Sequence, residues 1–253
     1  MKWIRQLKGR MAWRQSRASA WGAFLGQQEI LVAALSLQQT GGVRVMVFEH
    51  LHAPAGLVHL QERDAWLVQS LMALGAHLPK RLRTMAIAVS ADRCRQGVMA
   101  WEGARDRGHL QAEVQLEAAA AWGVSPDAVA FDFRVQQDQE TQGDAQQSKV
   151  AAPGQGMRVE WAACLREELL QWQAHARSAG WALPLVETEL QAVQRAVMCL
   201  RGDAQTHWAQ SPQDWQFERL AQGDRGAVDW LQLQSAPMWK PMVACGAALG
   251  ALQ

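Results

Sequence analysis

From residue 21 onward, hydrophobic residues come in short runs separated by polar or glycine-containing turns, and the spacing within each run names the element it forms. Trp21–Gly26, Ile30–Leu37 and Val43–His52 are apolar and rich in β-branched residues. Gln27-Gln28-Glu29 and Gln39-Thr40-Gly41-Gly42 separate them at hairpin length, so three antiparallel strands are expected. Leu60–Leu78 places leucines at 60, 67, 71, 74 and 78, a helical period that Pro79 closes. Arg83–Val89 and Cys94–Ala100 are two more strands, and Gln111–Trp122 with Leu110 repeats apolar or small residues at helical spacing. The turn Ser125-Pro126-Asp127 leads into the alternation Val129, Phe131, Phe133, Val135. Met157–Cys164 is a strand and Arg166–Ala179 a helix, with Leu165, Leu169, Trp172, Ala176 and Ala179 on one face and Gly180 as its stop. After a strand at Ala182–Val186, Thr188 and Gln191 have capping-box spacing before a helix that carries Leu190, Val193, Val197 and Leu200. Beyond residue 200 the pattern weakens, leaving short strands at Trp215–Leu220 and Ala227–Leu233. The whole alternates α and β.

With 253 residues, 49% of them hydrophobic, the chain is long enough for one large or two small domains with a sizeable core. No apolar run approaches the roughly 18 residues of a membrane span, and the N-terminus lacks the apolar centre of a secretory leader. Residues 136–156, QQDQETQGDAQQSKVAAPGQG, are too poor in large apolar side chains to offset the entropy of ordering and read as a flexible loop. Net charge is +1, but residues 1–20 carry six basic residues and no acid, so the remaining 233 sum to −5. Lys2, Trp3, Arg5, Lys8 and Arg10 make this tail suited to an anionic membrane surface, at about 1 kcal/mol per basic side chain near the lipid. No basic groove accompanies it, so no specific nucleic-acid partner is read.

Candidate chemistry is sparse. Cys94, Cys164, Cys199 and Cys245 show no CxxC spacing and read as reduced, buried thiols. His50, His52, His59, His77, His109, His175 and His207 form no HExxH and no Cys/His cluster, so no metal site is expected. Walker A, GxGxxG and GxSxG motifs are also missing, and neither catalytic residues nor a cofactor are assigned. There are thirteen tryptophans and no tyrosine. Trp66, Trp122, Trp172, Trp181 and Trp230 are expected in the core, whereas Trp208, Trp215 and Trp239 are left open between covering a sheet face and anchoring a partner.

Three stretches carry a family resemblance. Ala86–Ser90, Gln111–Glu117 and Pro126–Val135 resemble the middle of PilM-type pilus assembly proteins, actin-like cytoplasmic platforms of type IV pilus and DNA-uptake (competence) machines. The run VEWAACLREELLQWQAHARSAGWALPLVETELQAVQRAV and the tail Pro241–Gly250 resemble later parts of the same family. The resemblance implies an actin-like (ribonuclease-H-like) core from 21–91 and 181–253, preceded by the 1–20 tail. It also implies an inserted β-α-β-β-α subdomain at 92–180 that contains the 136–156 loop. Too few residues remain for a complete second actin domain, which is expected to be largely missing.

Actin-like ATPases carry an Asp-x-Gly turn between their first two strands, where the carboxylate orders metal-bound water. The matching turn in this chain begins at Phe24 and keeps only Gly26, and Arg201–His207 does not supply a second phosphate loop. A non-enzymatic pseudo-ATPase is therefore expected. The family likeness implies a scaffold in the cytoplasm, peripheral to the bacterial inner membrane, that binds the cytoplasmic N-terminal peptide of a PilN-like bitopic protein. In the family that peptide lies in a groove beside the inserted subdomain, and Val98, Met99 and Trp101 are the residues expected to contribute here. The alternatives are a cytoplasmic platform of a type II secretion system and a nucleotide-binding actin-like ATPase.

Overall fold

Strand β1 (Ala20–Leu25) is buried along its whole length, so both faces of the sheet it belongs to are covered. The computed structural model describes residues 20–56, 60–76, 78–101, 107–136, 157–202, 210–218 and 234–252. The expected tail up to residue 19, the loop beyond residue 136, the strand Ala227–Leu233, Trp208 and Trp230 lie outside them.

After β1 the chain forms β2 (Glu29–Leu37), β3 (Gly42–His52), α1 (Leu60–Gly75), β4 (Thr84–Val89) and β5 (Arg95–Trp101). Next come α2 (Arg107–Trp122), β6 (Val129–Gln136), β7 (Met157–Leu165), α3 (Arg166–Ser178), β8 (Ala182–Thr188), α4 (Glu189–Cys199), β9 (Gln216–Glu218) and α5 (Trp239–Gly250). Two compact units divide these elements, residues 92–170 forming one and the flanking segments the other. The family resemblance implied an inner limit at 180 instead. The later turns of α3 group with the flanking unit because Trp172 and Ala176 are buried and the Trp181 amide donates to the Ala176 carbonyl at 2.8 Å.

The flanking unit has a six-stranded mixed sheet in the order β8-β4-β1-β2-β3-β9. β1 pairs antiparallel with β2 and parallel with β4, and β4 pairs parallel with β8. Alternation along β1 sends side chains to opposite faces. Phe24 joins a core cluster with Val193 and Val197 of α4 and Met242 and Val243 of α5. Trp21 points the other way and meets Trp181 edge to face at 5.5 Å, while the Trp181 indole donates to the Leu71 carbonyl of α1 at 2.8 Å. α1 ends at Gly75, short of the expected Leu78. At Gly75 a Cβ would already sit 3.1 Å from the Trp181 indole nitrogen, and the chain turns there with the Leu78 amide donating to the Gly75 carbonyl.

Helix α4 starts as its sequence dictates. Thr188 accepts from the Gln191 amide and the Gln191 side chain accepts from the Thr188 amide, both at 3.2 Å. In the second turn of α4, Arg195 forms a two-pronged pair with the buried Glu187 at 2.7 and 2.8 Å and donates to the Gly246 carbonyl at 3.0 Å. Burial pushes the Glu187 carboxyl above its ordinary range, and the Arg195 guanidinium offsets part of that rise.

Apart from the exposed Lys240, α5 is buried from Trp239 to Leu249, so the C-terminal tryptophan left open in the sequence is core, as is Trp215. Two glycines allow its close approach. A Cβ on Gly22 would lie 2.1 Å from the Ala248 nitrogen, and one on Gly246 would lie 1.8 Å from the Ala192 carbonyl oxygen. Backbone is the obstacle at both, so a methyl group requires the helix to move. Replacing Gly246 with Ala should therefore cost about 2 kcal/mol or more. Thermal unfolding is expected to shift down by about 4–8 °C on the scaling for a chain of this size. An unchanged melting temperature would mean that α5 does not press on α4 at this distance.

Candidate partner-binding site

The central unit, residues 92–170, has a three-stranded antiparallel sheet in the order β5-β7-β6. Its register places Gly97 opposite Trp161, Met99 opposite Val159, and Phe133 opposite Trp161 on the far side of β7. One face is thus built from Gly97, Met99, Trp101, Val159, Trp161, Phe131 and Phe133, and α2 covers it with Leu110, Val114, Ala118 and Ala119. The Trp161 ring lies directly over Gly97, where a Cβ would be only 2.4 Å from the ring. A residue with any side chain at 97 would lift the ring from the sheet. Arg95 rests 4.6 Å above the Trp122 ring at the end of α2, a cation–π contact.

This alternation separates the three residues singled out from the sequence. Met99 and Trp101 are half-buried against the α2-covered cluster, so they fill the space between strand and helix. Val98 points to the opposite face and is 55% exposed. That face carries a polar row, with Arg134 donating to Glu160 at 2.7 Å. β5 is also an edge of its sheet, so its outer main-chain groups have no strand partner among the described residues. The structure therefore brings together an open strand edge and one exposed apolar side chain, but not a three-residue patch.

A second feature of the same unit was not read from the sequence. β6, the start of α2 and the start of α3 enclose a pocket of about 420 Å³ lined by Phe131, Phe133, Leu169, Leu170, Arg107 and Arg166. Arg166 braces it by donating to the Val129 carbonyl at 3.2 Å. The residues come from three separate elements, and only the aromatic alternation along β6 hinted at it.

In the flanking unit, the turn between β1 and β2 closes through the Gly26 amide donating to the Glu29 carbonyl at 3.0 Å. Phe24, where the resemblance would place an aspartate, is 3% exposed and packed in the core. Glu29 begins β2 and bonds Lys240 through Oε1 and His50 through Oε2. Partial burial raises its carboxyl, but the bonds to Lys240 and His50 outweigh that and hold it below the usual glutamate range. His52 completes a cluster with Glu29 and His50 that the sequence reading passed over. The available signal was the His-x-His alternation on β3. The membrane-surface residues Lys2, Trp3, Arg5, Lys8 and Arg10 lie outside the described residues. Among the described residues, no helix is long and apolar enough to cross a membrane.

No family model matches the sequence, and no curated protein matches it. Solved structures do. A chain of the PilM–PilN type IV pilus biogenesis complex superposes with a TM-score of 0.55 at 18% identity, covering 78% of this chain and 53% of the solved one. This protein thus spans about half the length of that neighbour. The cytoplasmic domain of EpsL, an inner membrane component of the type II secretion system of Vibrio cholerae, matches at a TM-score of 0.43 and 11% identity over 68% of this chain and 58% of that one. T. thermophilus RuvC in complex with a Holliday junction substrate matches at 0.36 and 13% identity over 90% of each chain. The chain has an α/β fold with a mixed sheet, similar to that of the PilM–PilN chain.

Proposed function

We propose that this protein is a non-catalytic scaffold of a type IV pilus or DNA-uptake machine, positioned in the cytoplasm beneath the bacterial inner membrane. Its partner is the N-terminal peptide of a PilN-like bitopic protein. The observation that carries this reading is the fold likeness to a chain solved in a PilM–PilN complex. Pattern resemblance across residues 21–135, 157–201 and the last dozen supports it independently. The peptide adds to the free edge of β5 by main-chain hydrogen bonds, with Val98 as an exposed apolar anchor and the half-buried Met99 and Trp101 stiffening the strand from behind.

Replacing the exposed Val98 with Asp is expected to weaken capture of that peptide by about thirtyfold, the effect of losing an anchor worth roughly 2 kcal/mol. Leu170→Asp, on the exposed rim of the pocket, should leave affinity unchanged. Fluorescence anisotropy with the labelled peptide checks both. The reverse ranking would move the peptide into the pocket, and no binding to wild type would remove the partner altogether.

As a pseudo-ATPase it should bind magnesium-ATP no more tightly than millimolar, since Phe24 fills the aspartate position with a buried ring. Calorimetry showing a magnesium-dependent micromolar site would overturn that part of the reading. Residues 1–20, with six basic side chains and no acid, add contact with inner-membrane lipid. Deleting residues 1–19, which hold all six, should abolish sedimentation with anionic vesicles while leaving the circular dichroism spectrum intact. Equal sedimentation of both forms would rule the tail out as the membrane contact.

A further inference from the structure

The sheet of the flanking unit brings three metal-ligand side chains together where the sequence shows no metal motif. His50 and His52 are two residues apart on β3 and so project from the same face. Glu29 of β2 is the register partner of His52, which carries its carboxylate to that same face. One ligand atom from each of the three residues lies within 4.8 Å of the others. The two imidazoles are 3.9 Å apart between ring centres, and His50 Nε2 is already 2.6 Å from Glu29 Oε2.

We propose that Glu29, His50 and His52 bind a divalent transition-metal ion of the zinc class. The donor set, two imidazoles and one carboxylate, suits that class, and three protein ligands leave a coordination position for water. A tetrahedral ion with bonds of about 2.0–2.1 Å needs ligand atoms about 3.4 Å apart. The His50–Glu29 pair must open slightly and His52 must close, both within reach of side-chain rotation because the two rings are exposed.

Lys240 divides the carboxylate. Its ammonium occupies Oε1 from the first turn of α5, so Oε2 faces the imidazoles and the glutamate is held for one-oxygen ligation. On the strand frame, the register of β2 against β3 is the positioning element: a slip of one residue would send Glu29 to the opposite face. This inference does not depend on the proposed partner.

Zinc titration of the tag-free full chain by calorimetry tests it, with cobalt absorption as a check on coordination. One equivalent should bind in the micromolar range, and His52→Ala and Glu29→Gln should each weaken it at least tenfold. His109→Ala, on α2, should bind as wild type does. Absence of saturable uptake overturns the site, as does uptake of equal affinity by His52→Ala. His52 is exposed, so its substitution reports on binding even if Glu29→Gln fails to fold.

Discussion

Contact between the backbone of α5 and its neighbours is the constraint on which the larger unit depends. Gly22 lets the helix lie on β1, and Gly246 lets α4 lie on the helix, each at a distance that excludes even a methyl group. Alanines 244, 247 and 248 extend the same close surface, so α5 reaches the sheet with almost no side-chain volume between. Nearly every residue of α5 is consequently buried, and the segment functions as an internal strut. A helix held this close cannot adjust to changes on either side without displacing both.

Polar groups near that strut are handled by pairing. Arg195 bridges β8, α4 and α5 by joining the Glu187 carboxylate to the Gly246 carbonyl, and its two-pronged pairing offsets part of the burial cost of the glutamate. On the same sheet, Lys240 ties the first turn of α5 to Glu29 at the start of β2. The helix that packs the core thus also orients the carboxylate beside the two histidines of β3.

The central unit solves its packing differently. Its three strands are too few to bury two faces, so α2 covers one and leaves the other polar. A tryptophan laid over a glycine brings α2's partner face into register, and β5 and β6 are the edge strands among the described residues. Open edges are a hazard in a free protein and an opportunity for an extended peptide, which is why the peptide-binding reading rests on β5 rather than on the covered face.

Local signals made much of this legible in the chain itself. Hairpin-length turns foretold β1 to β3, the Thr188–Gln191 box foretold the start of α4, and the Phe131–Phe133 alternation foretold β6, because each is decided by neighbours within a few residues. Strand alternation also implied that Val98 and Met99 face apart, although the sequence could not say which face a helix would cover. What needed the fold were pairings across long stretches: β4 parallel to β1, β9 beside β3, the burial of Trp215 and Trp239, the pocket shared by three elements, and Glu29 opposite His52. Such contacts are set by strand order and register, which close loops of many residues and are chosen by the whole core at once. The packing of the Trp181 indole against Gly75 at the end of α1 is of the same kind, since the two are more than a hundred residues apart. Sequence determined the elements, and tertiary packing decided which side chains they share.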